Sequence, residues 1–74
     1  MKLHIEYCIQ WNYGPEFDRV SKIIKTINSS VSIIGNNSPP RSGAFEVTLN
    51  NKVVFSKFKT GRFPDESEIN FWIS

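Results

Sequence analysis

The sequence predicts one small α/β domain whose elements follow the order β-α-β-β-β-α. Three features lead to this prediction: a strand-like alternation at the N-terminus, an amphipathic helical pattern after it, and a hairpin pattern that precedes a short second helix. With 74 residues, of which 39% are apolar, the chain is long enough to bury one core and too short for two. We therefore expect residues 1–74 to form a single domain.

The first strand is predicted from a period of two near the N-terminus. Over the first eight residues the side chains alternate, with Leu3, Ile5 and Tyr7 on one side and His4, Glu6 and Cys8 on the other. This alternation is typical of a strand that turns one apolar face toward a core. The strand is expected to end at Cys8, where the pattern stops.

A helix is predicted to begin near Pro15, because the missing N–H of proline costs nothing in the first helical turn. The apolar residues that follow recur at steps of three and four, namely Phe17, Val20, Ile23, Ile24 and Ile27. The polar run Asn-Ser-Ser at 28–30 closes the helix. Val31–Ile34 is then predicted as a strand parallel to the first, because a single helix joins the two.

A hairpin is the clearest local pattern, and it follows a loop over Gly35–Gly43. The outgoing strand is Ala44–Leu49, the returning strand is Lys52–Phe58, and two asparagines between them can take the positive φ angles of a tight turn. The chain is then expected to turn at Lys59–Pro64. The last helix is predicted from the capping-box spacing of Asp65 and Glu68, and its apolar residues are Ile69, Trp72 and Ile73.

The register of this hairpin follows from its predicted two-residue turn. Val47 is expected to face Val54, and Glu46 is expected to face Phe55. Val53 and Phe55 then share the sheet face opposite Val47, where they form an apolar patch for a partner or a second copy. A homodimer through the edge of the last strand is a second expectation for this region.

Composition narrows the classes of function. The net charge is +2 and basic Lys52, Lys57, Lys59 and Arg62 are accompanied by acidic neighbours, so a nucleic-acid partner is not expected. One cysteine and one histidine exclude an internal disulfide and a Cys-rich zinc site. Because no run of about 18 apolar residues occurs, we expect no membrane partner and a cytoplasmic location.

Four segments form a pattern in their order and spacing, namely Tyr7–Tyr13 (YCIQWNY), Ser42–Val47 (SGAFEV), Val53–Lys57 (VVFSK) and Gly61–Asp65 (GRFPD). Together they resemble the selenoprotein W-like family, also called Rdx or SelT/SelW/SelH proteins. The resemblance implies a thioredoxin-like fold with two helices on a four-stranded mixed sheet, ordered second, first, third, fourth strand. It also implies a redox motif, C-x-x-C or C-x-x-Sec, after the first strand. Cys8 matches the first position of that motif, and Trp11 stands at the second.

This replacement limits the redox chemistry that the chain can perform alone. A dithiol cycle needs a second sulfur or selenium to resolve the mixed disulfide, and the chain has none besides Cys8. The leading hypothesis is a monothiol oxidoreductase that forms a mixed disulfide with a protein partner or with glutathione as co-substrate, without a bound cofactor. The alternative is a non-catalytic interaction module, whose binding surface is Ile9, Gln10, Trp11 and Tyr13. Lone cysteines are also common as inert core residues.

Two prolines in the loop before the third strand complete the candidate site. Thioredoxin-like proteins commonly hold a cis-proline there beside the redox cysteine, and Pro39 and Pro40 occupy this loop. A cis bond is a hypothesis for either residue, because only about 5–6% of X–Pro bonds in folded proteins are cis. If either proline lies near Cys8, it helps to shape the surface that meets a partner.

Overall fold

A computed structural model describes residues 1–74 and has the predicted element order, with one helix more than predicted. The strands are β1 (Lys2–Tyr7), β2 (Ser32–Gly35), β3 (Phe45–Leu49) and β4 (Lys52–Ser56), and the helices are α1 (Gly14–Ile27), α2 (Lys57–Thr60) and α3 (Glu66–Ile73). The sheet order is β2-β1-β3-β4, with β1 parallel to β2 and the other neighbours antiparallel. None of the helices has the length and apolar character that crossing a membrane requires.

The core lies between one face of the sheet and two helices. This covered face consists of alternate strand residues that are buried, namely Leu3, Ile5, Phe45, Val47 and Phe55. From the helices, Val20 and Ile24 of α1 and Ile69, Trp72 and Ile73 of α3 join the same cluster. The opposite, open face carries mostly polar side chains, because the period of two sends Lys2, His4, Glu6, Glu46 and Thr48 there.

Helix α1 begins at Gly14 with Pro15 in its first turn, as predicted. The Arg19 side chain lies between two elements, because its Nε is 3.0 Å from Glu16 Oε2 and its Nη2 donates to the carbonyl oxygen of Pro64 at 2.7 Å. This hydrogen bond links α1 to the segment before α3. At the other end, the amide of Asn28 donates to the carbonyl of Ile24 at 2.8 Å, so the helix ends at the predicted polar run.

The predicted register of the β3–β4 hairpin is wrong beyond its turn. Val47 pairs with Phe55 and not with Val54, because a β-bulge between Val47 and Thr48 leaves Val54 as an extra residue on β4. The bulge turns Phe55 into the core, so the expected apolar patch is reduced to the exposed Val53. Pairing of two copies through the free edge of β4 stays a prediction.

The returning strand is also shorter than predicted, because two side chains stop it at Ser56. The Ser56 hydroxyl donates to the Glu46 carboxylate and accepts from the Lys59 amide at 3.3 Å, and Glu46 Oε2 accepts from the Lys57 amide at 2.7 Å. These acceptors satisfy the free amides of a helix start, and α2 forms where the sequence predicts strand and turn. Further on, the predicted capping box of α3 is confirmed, with Glu68 N 2.9 Å from Asp65 Oδ1.

Candidate functional site

Cys8 directly follows β1, and its backbone is fixed on both sides. Its amide donates to the carbonyl of Ala44 at 2.9 Å, and its carbonyl accepts from the amide of Tyr13 at 3.0 Å. The residue is a free cysteine and only 2% exposed. The cysteine that the sequence predicts as reactive is therefore buried at the start of the β1–α1 loop, Cys8–Tyr13.

The β1–α1 loop makes a tight turn that pushes its apolar side chains outward. The amide of Asn12 donates to the carbonyl of Ile9 at 2.9 Å, and Asn12 has a φ of 60°, a left-handed conformation that asparagine tolerates. Gln10 is exposed at the tip of this turn. Ile9 and Trp11 are 65% and 57% exposed, so two large apolar residues are presented close to a buried thiol.

Trp11, at the second motif position, lies against the segment that leads into β3. A Cβ atom on Gly43 would be 3.7 Å from Trp11 Cζ3, and Gly43 has a φ of 75°, which favours glycine. The edge of the Trp11 ring also meets Tyr13, with 6.3 Å between the centroids. Trp11 is therefore held on one side while more than half of its surface stays open.

Behind Trp11, three aromatic rings connect the loop to the core. Tyr13 contacts Phe63 edge-on at 4.8 Å between centroids, and Phe63 contacts Phe45 at 5.3 Å. Lys57 Nζ lies 5.3 Å from the Tyr13 centroid and 5.6 Å from the Phe63 centroid. Sequence reasoning did not assign Lys57 or Phe63 to the site, although both lie in the VVFSK and GRFPD segments that carry the family resemblance.

An ion pair lies on the open face. The Arg41 guanidinium binds Glu6 through three side-chain hydrogen bonds, with Nη2 2.7 Å from Oε1, and the Arg41 amide also donates to Glu6 at 2.7 Å. These hydrogen bonds hold the pKa of Glu6 below its ordinary value. The same guanidinium lies 4.9 Å from the centroid of the half-exposed Phe58 ring on α2.

The two candidate prolines lie in the loop that joins β2 to β3. Both prolines follow trans peptide bonds, so the cis hypothesis is wrong for Pro39 and for Pro40. Pro39 lines a shallow cleft with His4, Glu6 and Arg41. The residue that lies against the β1–α1 loop is Gly43, because the chain from Arg41 to Ala44 turns back toward Cys8.

The chemistry available at this site is that of one thiol and an apolar, cationic surface. No group of three His, Cys, Asp or Glu side chains lies close enough to hold a metal ion. The predicted site residues fall into two loops. One loop holds Cys8, Ile9, Gln10, Trp11 and Tyr13, and the β2–β3 loop holds Pro39 and Pro40, of which Pro39 lines a cleft on the open face.

Solved structures of other proteins share this fold. The selenoprotein W-related protein of Vibrio cholerae aligns with a TM-score of 0.77 at 20% identity, covering 99% of this chain and 96% of that one. A protein of Bordetella parapertussis aligns with a TM-score of 0.69 at 17% identity, covering 95% of this chain and 89% of that one. At these identities the likeness concerns the fold, which is thioredoxin-like as the resemblance implied.

Two relatives and one family model match this sequence. A SelT-like protein of Arabidopsis thaliana is 61% identical over 33 residues, which are 45% of this chain and 16% of that protein. Selenoprotein W of Danio rerio is 30% identical over 66 residues, which are 88% of this chain and 77% of that protein. Residues 2–73 match the Rdx family. This chain therefore belongs to the Rdx family, and that membership implies a thioredoxin-like, redox-related role.

Proposed function

We propose that the protein is a monothiol redox protein in which Cys8 exchanges disulfides with a protein partner that docks on the β1–α1 loop. The observation that carries the proposal is the exposure of Ile9 and Trp11 in the same loop as Cys8. Exposed tryptophan is a common anchor in protein interfaces, because it buries a large area at a low cost in side-chain entropy. Docking of this kind favours a protein disulfide over a small-molecule disulfide as the substrate.

The proposed cycle uses glutathione as the source of electrons. The Cys8 thiol loses its proton to solvent, and the thiolate attacks one sulfur of a partner disulfide. A bond forms between the two sulfurs, the partner's S–S bond breaks, and its second sulfur leaves as a thiolate that takes up a proton. One glutathione thiolate then attacks Cys8 Sγ and frees the partner's first sulfur. A second glutathione attacks the resulting adduct, which returns the Cys8 thiol and releases oxidised glutathione, so two glutathiones supply the two electrons that the partner gains.

The burial of Cys8 adds an opening step to this cycle. Two backbone hydrogen bonds close the loop, from Asn12 to Ile9 and from Tyr13 to Cys8. A partner that binds Ile9 and Trp11 contacts the segment between these bonds, so docking favours loop conformations in which the thiol is accessible.

A reducing compartment suits such a cycle, and we propose a cytoplasmic location, which cell fractionation tests.

The test is a disulfide-exchange assay read by intact mass. The protein is incubated with oxidised glutathione and, separately, with a peptide that contains one internal disulfide. We expect one mixed disulfide per chain at Cys8, formed faster with the peptide than with glutathione, and its release by reduced glutathione. Cys8→Ser is expected to form no adduct. If the adduct forms at the same rate in protein unfolded by 6 M urea, the fold does not assist disulfide exchange. That result would contradict the proposal.

A second candidate, a non-catalytic interaction module, is favoured by the 2% exposure of Cys8. In this function the β1–α1 loop binds a partner and the thiol takes no part. Partner capture from cell extract separates the two candidates. Loss of captured partner in Cys8→Ser under non-reducing conditions supports exchange, whereas capture that survives Cys8→Ser and fails in Trp11→Ala supports the module.

A further inference from the structure

Six side chains of the β1–α1 loop, α2 and their neighbouring loops make two groups of ring and cation contacts, which together we call the aromatic-cation strip. Its members are Trp11, Tyr13, Phe63, Lys57, Phe58 and Arg41. The rings of the first three meet in sequence at 6.3 and 4.8 Å between centroids. Lys57 lies over two of these rings, at 5.3 and 5.6 Å, and Phe58 follows it on α2 beneath the Arg41 guanidinium at 4.9 Å. The strip therefore runs from the β1–α1 loop to α2.

The positive charge of Lys57 has no carboxylate partner. The ion pairs of the structure join Arg19 to Glu16, Arg41 to Glu6 and Arg62 to Glu68. The charges of Arg41, which belongs to the strip, and of Arg62, which lies close to α2, are therefore neutralised. Lys57 is left unpaired.

The nearest available acid, Glu46, is already engaged by other donors. Its carboxylate accepts the Ser56 hydroxyl and the amides of Lys57 and Phe58, at 2.7 Å and 3.4 Å for the two amides. The Lys57 ammonium instead lies over the rings of Tyr13 and Phe63, and these contacts leave its three N–H donors able to bind a carboxylate. A carboxylate brought by a partner is the group that this position lacks.

We propose that the aromatic-cation strip binds a segment of a partner protein in which an acidic residue stands next to an apolar one. The carboxylate pairs with Lys57, and the apolar side chain covers the exposed face of Trp11. This inference names the partner class of the proposed function and rests on it for the thiol step. The charge of the strip favours a protein partner over a nucleic acid. Lys57 is its one unpaired cation and the acidic Glu6 and Glu46 are nearby, so the strip is a poor match for a phosphate backbone.

The experiment compares three peptides that differ only in charge. Each has one cysteine, carried as a mixed disulfide with uncharged 2-thiopyridine, beside a leucine and two residues that are Asp, Asn or Lys. Attack by Cys8 on the peptide sulfur joins protein and peptide and releases pyridine-2-thione, which absorbs light and leaves readily. We expect the acidic peptide to react about fivefold faster than the neutral one at low salt, since a surface ion pair contributes about 1 kcal/mol at most.

Matched lysine variants locate the effect. Lys57→Gln is expected to remove the preference for the acidic peptide, and Lys22→Gln, which makes the same charge change at an exposed position on α1, is expected to keep it. Salt is expected to weaken the preference in the wild type. Equal rates for the three peptides would overturn the inference and leave the proposed function standing.

A thiol-free arm separates the two failures. If the wild type reacts with no peptide faster than Cys8→Ser does, the proposed function fails. Binding is then measured with peptides that carry serine in place of cysteine, using the fluorescence of exposed Trp11. Tighter binding of the acidic serine peptide supports the strip as its site, and equal binding overturns it. A single-stranded oligonucleotide that displaces the acidic peptide at equal concentration also overturns it, in favour of a nucleic-acid partner.

Discussion

On the covered face of the sheet, Leu3, Ile5 and Val47 are fully buried, whereas in the β1–α1 loop Ile9 and Trp11 are more than half exposed. Both regions are rich in apolar side chains, and β1 leads directly from one to the other. The first set stabilises the fold, because its members pack against α1 and α3. The second set adds little to that packing, so its exposed area is free to bind a partner. Substitutions in the two regions are therefore expected to have opposite consequences for stability and for binding.

The largest effect on stability is expected from Phe45→Ala. Phe45 is fully buried on the covered face and contacts Phe63. Truncating a buried phenylalanine costs about 3–5 kcal/mol, which is a large share of the roughly 5–15 kcal/mol that stabilises a small domain. Urea denaturation followed by circular dichroism measures the loss.

Phe71→Ala is the matched control for this change, since Phe71 is 80% exposed on α3. Its free energy of unfolding is expected to stay within about 0.5 kcal/mol of the wild type. A loss as large as that of Phe45→Ala, dependent on protein concentration, would mean that Phe71 is buried between two copies, and the division into packed and exposed regions would need to be redrawn.

A smaller loss is expected from Gly35→Ala, at the end of β2. A Cβ atom there would lie 3.1 Å from Tyr7 and 3.1 Å from Phe17, whose rings stack at 4.5 Å between centroids. Forcing these rings apart is expected to cost about 1–3 kcal/mol in the same urea experiment. Gly14→Ala is the control, because no atom lies within 4 Å of its Cβ position, and helix propensity favours the substitution. Equal losses in both variants would argue against crowding as the cause.

The Glu6–Arg41 ion pair is expected to make stability depend on pH. Hydrogen bonds from Arg41 lower the pKa of Glu6 in the folded protein, so ionised Glu6 stabilises the fold above its unfolded pKa of about 4.3. This contribution is lost as the pH falls through the lower, folded pKa. Urea midpoints between pH 6 and pH 3 are expected to fall less in Glu6→Gln than in the wild type. Glu66→Gln, which changes an exposed and unpaired carboxylate, is expected to follow the wild type.

Local patterns predicted those parts of the fold that depend on neighbouring residues. The alternation of β1, the start of α1 at Pro15 and the Asp65–Glu68 capping box all follow from residues within a few positions. The register of β4 does not, because the bulge at Val54 is favoured by the fit of Phe55 into a core that α3 completes. Helix α2 was missed for a similar reason, since the Glu46 carboxylate that caps it comes from another strand.

The same division holds for the candidate site. The family motif placed Cys8 and Trp11 in one loop, and the structure keeps them there. Neither the burial of Cys8 nor the contact of Lys57 with Tyr13 follows from spacing in the sequence, because both depend on how β3 and α2 pack against the loop. A pattern identifies the residues of such a surface, and tertiary packing decides which of them face a partner.

The smallest effect on stability, and the largest on binding, is expected from Trp11→Ala. Because Trp11 is 57% exposed and does not belong to the core cluster, its loss is expected to cost under about 1 kcal/mol of unfolding free energy. An interface tryptophan, by contrast, commonly contributes 2 kcal/mol or more to binding, so exchange with the acidic peptide is expected to slow by about thirtyfold. Stopped-flow rates beside urea midpoints measure both. A variant that unfolds easily but reacts normally would reverse the roles of the two regions, since Trp11 would then belong to the core and the partner would have to bind elsewhere.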